Sequence, residues 1–171
     1  VLASRRRTLV VTRPVRVEHS GGWAMIEPHD RLEIDAEIEF DDPAIGRQRF
    51  HYLHGDGQFE QELASARTFC LLRDVAAMQN AGLALGGSLN NAIVVDDGSI
   101  LNEHGLRMSQ EFVRHKILDC LGDLYLLGVM LRGKVTASRP GHAMCAELVT
   151  TLWNSTESYR IIEEGVHVGH S

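Results

Sequence analysis

Residues 32–40 read LEIDAEIEF and alternate without a break, with Leu32, Ile34, Ala36, Ile38 and Phe40 on one side and Glu33, Asp35, Glu37 and Glu39 on the other. A period of two with one apolar and one acidic face is the pattern of an antiparallel strand packed on one side and wet on the other. This stretch decides the fold, because its packed side needs a second layer to cover it. Around it, LVVTRPVRVEH (9–19), WAMIEPH (23–29) and RFHYLH (49–54) read as further strands. The turn residues Ser20, Gly21 and Gly22 separate the first two, and Pro14 marks an edge or a bulge.

The covering layer comes later in the chain. EFVRHKILDCLGD (111–123) and HAMCAELVTTLW (142–153) have helical apolar spacing; Ser109 is placed to cap the first, with Glu111 in its first turn. Between the two halves, QFEQELAS (58–65) suits a short helix, RTFCLL (67–72) a strand, and RDVAAMQNAG (73–82) a helix stopping at Gly82. NAIVVDDGSILN (91–102) suits two strands turning at Asp97 and Gly98, and LRGKVTAS (131–138) one more. The expected fold is α+β: a two-layer sandwich of an antiparallel sheet packed on two amphipathic helices, with a strand-helix-strand insertion at about residues 70–108. We expect one domain over 1–171, with a tail from 155 to 171.

With 171 residues, 44% of them hydrophobic, the chain can bury one proper core. A formal net charge of -6 argues against a nucleic-acid surface, and the run Arg5, Arg6, Arg7 reads as a solvated tail. Cys70, Cys120 and Cys145 form an odd set with no C-x-x-C pair, which suits a reducing compartment. The segment LGDLYLLGVML (121–131) is interrupted by Asp123 and falls short of the ~20 apolar residues of a membrane span. Arg5 to Arg7 followed by TLVV lack the apolar length of a signal peptide. The expectation is a soluble, cytoplasmic protein; since the sequence starts at Val1, sequence upstream of it is expected too.

Within EFVRHKILDCLGD, His115, Asp119 and Asp123 share a strip about 80° wide on a helical wheel, while Val113, Ile117, Leu118, Leu121 and Leu124 fill the other side. An imidazole and a carboxylate at i and i+4 can reach one cation, and zinc suits the pair. The same spacing occurs on solvated helix faces, so spacing alone leaves both readings open. Asp123 could orient a second histidine. His142, after the Pro140–Gly141 turn, stands at the start of the last helix, as a surface residue or as a general acid. His51 and His54 fall on opposite faces of a strand, and His167 and His170 lie in the tail.

Four blocks in order, SARTF (65–69), NAGLALGGSLNNAIVVDDGSILNEHGLR (80–107), EFVRHKILDCLGDLYLLG (111–128) and GHA (141–143), resemble the UDP-3-O-acyl-N-acetylglucosamine deacetylases, the zinc amidases of lipid A biosynthesis. The likeness covers the C-terminal half of that family's usual chain. It implies hydrolysis of the N-acetyl group of a UDP-linked acylated amino sugar, with Zn2+ as cofactor. By matching position, His115 and Asp119 become zinc ligands, His142 the general acid, and Asp123 the carboxylate that holds His142. Thr68 would help to stabilise the oxyanion, and Lys116 would add positive charge near the reacting amide. Arg139 stands where the family usually has lysine and could grip a diphosphate.

The resemblance also implies an apolar passage for the acyl chain, lined by Phe69, Leu71, Val75, Ala84, Gly87, Ser88, Leu89 and Val94. Gly86 and Gly87 would allow close approach, and Cys70 would narrow the entrance. For Leu71, Val75 and Leu89, ordinary core packing is the equal alternative. The third zinc ligand and the general base belong, in the family, to the preceding domain, which is expected in cis or in trans. Glu18 and His19 have the right letters but lie at a strand end in the wrong place. The chain alone is therefore expected to bind zinc weakly and turn over poorly. The alternative is an acyl-binding or structural module without catalysis.

Overall fold

The computed structural model describes residues 6–80 and 91–164. The first strands are β1 (Arg6–Val11), β2 (Val15–His19), β3 (Gly22–Glu27), β4 (Leu32–Glu39) and β5 (Arg47–Leu53). A short helix α1 (Gln58–Glu62) follows, then β6 (Thr68–Leu71), α2 (Leu72–Asn80), β7 (Ala92–Asp96) and β8 (Ser99–Ile100). The chain continues through α3 (Glu111–Leu124), β9 (Met130–Ser138), α4 (His142–Asn154) and β10 (Tyr159–Glu164). The α+β two-layer reading holds.

The strand that decided the fold behaves as its alternation requires. Leu32, Ile34, Ala36 and Ile38 of β4 are buried beneath the helices. The acids on its other face are matched one by one by bases: Arg49 forks onto Asp35 at 2.8 and 2.6 Å, and Arg47 reaches both oxygens of Glu37. Glu33 lies between the rings of His29 and His51, whose hydrogen bond holds its carboxyl below the usual value. Asp35 is likewise lowered by Arg49.

Most strand pairings are antiparallel (β1 with β10, β2 with β3, β3 with β9, β4 with β5), but β4 and β1 each run parallel to β9. The main sheet is therefore mixed where β9 threads between β3 and β4. Alternation in β4 reports that one face is packed and carries no information about the direction of a neighbour some hundred residues away. The insertion forms as expected: β6 and β7 pair in parallel across α2, and β8 returns from β7 through Asp97 and Gly98, both at positive φ.

Four expectations need correction. LVVTRPVRVEH is two strands, β1 and β2, because Thr12 to Pro14 break it; Arg6 and Arg7 belong to β1 rather than to a loose tail. Residues 159–164, expected in the tail, form β10 along β1. Ser109 does not cap α3: the cap position is Gln110 in a left-handed conformation, with no side-chain cap bond.

Helix α3 packs on β4 and β5, α4 packs on β2 and β3, and the two helices touch each other. Phe112, Val113, Ile117, Cys120, Leu121 and Leu124 enter the core from α3; Met144, Cys145, Leu148 and Leu152 enter from α4. Leu118, expected on the inner side, is only half-buried. Each fully buried aliphatic side chain stabilises the layer by about 1.5–3 kcal/mol relative to exposure. Cys120 and Cys145 meet across the helix contact, and the Cys145 hydrogen bond together with burial pushes the Cys120 thiol up. Among the described residues, no helix is long and apolar enough to cross a membrane.

Candidate active site

The polar strip of α3 faces away from the sheet, and its members converge in pairs. His115 Nε2 lies 3.3 Å from Asp119 Oδ1. Both side chains are mostly shielded, and Lys116 Nζ stands 3.5 Å from the other Asp119 oxygen. One turn on, Asp123 Oδ2 accepts from His142 Nδ1 at 2.8 Å. Gly141 leads into α4 with extended backbone, which brings its first residue, His142, beside α3. Asp123 is largely buried while His142 is 69% exposed, so the carboxylate is fixed and the imidazole is open to an incoming group.

The other nitrogen of His115 is also held. Nδ1 is 3.2 Å from the Ala66 carbonyl oxygen, which can only accept, so Nδ1 carries the proton and Nε2 faces Asp119. Two donors each ~2.0–2.1 Å from one zinc ion at a tetrahedral angle lie ~3.3 Å apart. The His115–Asp119 separation fits that requirement. Among the described residues no group of three His, Cys, Asp or Glu could hold a metal ion. Glu18 and His19 do not join the His115–Asp119 pair: Glu18 pairs with Arg16, and His19 Nδ1 lies 3.4 Å from Glu147 of α4.

Thr68 is exposed at the start of β6, two residues beyond Ala66. Phe69 is wedged edge-on between Phe40 and Phe112, with the His115 ring 6.5 Å away and Lys116 Nζ 5.7 Å from its centroid. Strand alternation divides the expected passage lining. Phe69 and Leu71 share the core-facing side of β6 and β7 with Ile93 and Val95, whereas Val94 lies on the opposite side with Thr68 and Cys70. Leu71 borders a groove rimmed by Asp41, Asp42, Asp96 and Asp97, a poor surround for an acyl chain. Val75 is half-buried on α2. Ala84, Gly86, Gly87, Ser88 and Leu89 lie outside the described residues. Arg139, at positive φ, reaches Glu39 with Nη2 at 2.6 Å, so its guanidinium is engaged by a carboxylate.

One feature escaped the sequence reading. Glu111 is fully buried and binds Arg67, which is itself 7% exposed. Burial alone would raise the Glu111 carboxyl, but hydrogen bonds from Arg67 and from the Arg107 backbone, with the Arg67 charge, hold it below its usual range. A signal was present: residues 111, 115, 119 and 123 form an unbroken i+4 ladder, and Glu111 is its first rung.

The fold and this geometry define a two-layer α+β domain carrying a helix-borne imidazole–carboxylate pair beside a second, carboxylate-held imidazole. Residues 1–154 match the family model described as UDP-3-O-acyl N-acetylglycosamine deacetylase. Proteins named UDP-3-O-acyl-N-acetylglucosamine deacetylase are similar: one from Anaeromyxobacter sp. (strain Fw109-5) is 46% identical over 92% of this chain and 52% of its own. One from Psychrobacter cryohalolentis is 44% identical over 92% of this chain and 50% of its own, and one from Brucella ovis 42% over 94% and 56%. The chain belongs to the UDP-3-O-acyl N-acetylglycosamine deacetylase family. It spans about half the length of the curated relatives it matches.

Proposed function

We propose that this chain is the acid-bearing, metal-binding half of a zinc-dependent deacetylase that removes the N-acetyl group of UDP-3-O-acyl-N-acetylglucosamine in lipid A biosynthesis. The observation that carries this reading is the pairing along α3: His115 Nε2 3.3 Å from Asp119 Oδ1, and His142 Nδ1 2.8 Å from Asp123 Oδ2. His115 and Asp119 hold the ion. When bound, zinc supplies Lewis acidity to water and to the amide carbonyl. The remaining ligand and the general base come from the other half of the family's chain.

This chain's own residues then do the following. Asp123 fixes the His142 ring through Nδ1, which leaves Nε2 as the nitrogen that gives a proton to the departing amine nitrogen. Lys116 adds positive charge beside Asp119, and Thr68 offers a hydroxyl to the developing oxyanion. Arg139 meets the diphosphate by exchanging Glu39 for it. The acyl chain runs beside the insertion, on the Val94 and Thr68 side.

The test is zinc titration of the chain with and without the N-terminal half of a relative, with acetate release measured alongside. The added half is expected to tighten zinc binding and permit turnover. Asp119→Ala should abolish the zinc signal. His142→Ala should keep zinc yet slow turnover by about 10²–10⁴-fold, the usual worth of a general acid. Absence of zinc binding with both halves present would refute the reading and favour an acyl-binding or structural module.

A further inference from the structure

We propose that the buried Arg67–Glu111 pair is a positioning device that sets the tautomer of His115, and so decides which ring nitrogen faces Asp119. The inference rests on the proposed function only in taking the Nε2 side as the metal side.

The peptide group joining Ala66 to Arg67 is the centre of the device. Its N–H donates to Glu111 Oε1 at 3.0 Å, and its C=O accepts from His115 Nδ1 at 3.2 Å. A trans peptide sends these two groups in opposite directions. Glu111 and His115 are one turn apart on α3, about 6 Å along the axis, and each receives one end. The carboxylate is in turn fixed by the Arg67 fork, Nε to Oε1 at 2.9 Å and Nη2 to Oε2 at 3.1 Å, and by the Arg107 N–H on Oε2 at 2.7 Å. Arg67 Nη2 also binds the Gly105 carbonyl at 2.8 Å. Glu111 thus ties both the 65–68 segment and the 105–107 turn to the helix that carries His115.

Stability alone does not account for this arrangement. A buried ion pair replaced by apolar groups of similar volume is often neutral or stabilising. An apolar pair, however, could not hold the 66–67 peptide with its carbonyl aimed at Nδ1. A ligating histidine needs its second nitrogen occupied in this way, to keep the lone pair on the metal side and the ring in place.

The experiment is imidazole nitrogen NMR on the metal-free chain, at a pH where His115 is neutral, together with zinc titration. The wild-type chain should show His115 with the proton on Nδ1. Arg67→Met combined with Glu111→Leu should stay folded with a lowered urea midpoint, since the Arg67 and Arg107 N–H groups lose their acceptor. It should also move the proton towards Nε2 and weaken zinc binding by about 10–100-fold. Asp119→Ala should lose zinc while leaving the proton on Nδ1, so failure of the metal reading is distinguishable from failure of this one. A wild-type proton on Nε2 overturns the inference whatever the variants do. So does a stably folded double variant that keeps both the Nδ1 proton and wild-type zinc affinity.

Discussion

A methyl group added at Gly22 would lie 2.5 Å from the Ser138 carbonyl oxygen, 2.7 Å from Met144 Cε and 3.0 Å from the Arg139 carbonyl oxygen. The end of a methionine can swing aside, but the two carbonyls belong to backbone at the end of β9, where β3 pairs through Trp23 and Ser138. Gly22→Ala must therefore push β3 away from β9 just before the turn that delivers His142 to Asp123. We expect a loss of about 1–3 kcal/mol, the usual cost of overpacking, read as a lower urea midpoint with an unchanged slope. An unchanged midpoint would mean that the strand ends give way freely. The requirement is one of space: Gly22, unlike its neighbour Gly21, does not have a positive φ.

The element that holds the site, α3, tests the opposite case. Gly122 sits in its last turn and a Cβ there meets nothing within 4 Å. Gly122→Ala should therefore stabilise this chain by about 0.8–1 kcal/mol, the helix-propensity difference, again read from urea unfolding. A destabilised variant would show that the face beside Asp119 and Asp123 is already covered in solution. The same helix explains what the sequence could reveal. His115, Asp119 and Asp123 were legible because helical period alone puts them on one strip, and the four packed strands' partner layer was legible from Val113, Ile117, Leu121 and Leu124. The bond from Asp123 to His142 joins residues 19 apart on different helices; the sequence offered Asp123 as a carboxylate for a second histidine and His142 as a candidate, and the family resemblance paired them. Glu111 does stand in the first turn of α3, and the i+4 ladder places it on the strip, but its burial against Arg67 was not legible because that partner lies 44 residues away. Likewise β10 escaped notice: YRIIEE carries exposed Ile161 along β1 and lacks a clean inside and outside.

At the scale of the whole molecule, three carboxylates tie distant segments together, and their protonation should unlock them in concert. Glu111 joins α3 to the 65–68 and 105–107 segments, Asp35 joins β4 to β5, and Glu33 joins β4 to His29 and His51. All three are held below their ordinary values of 4.5, 3.8 and 4.5 respectively. A carboxylate lowered on folding contributes stability that is fully present above its unfolded value and is lost as pH falls through its folded value. The urea midpoint should therefore stay level with respect to these groups from neutrality down to about pH 5 and then fall steadily. The exposed side chain of Arg49 and solvent around His51 weaken the contributions of Asp35 and Glu33. Glu111 should dominate, since its protonation also strands a buried guanidinium. Arg67→Met with Glu111→Leu removes that component, so its midpoint should fall less steeply with acid than that of the wild-type chain. Parallel acid profiles for the two proteins would show that the buried pair does not govern the acid limit of the fold, and would shift the weight to the outer face of β4.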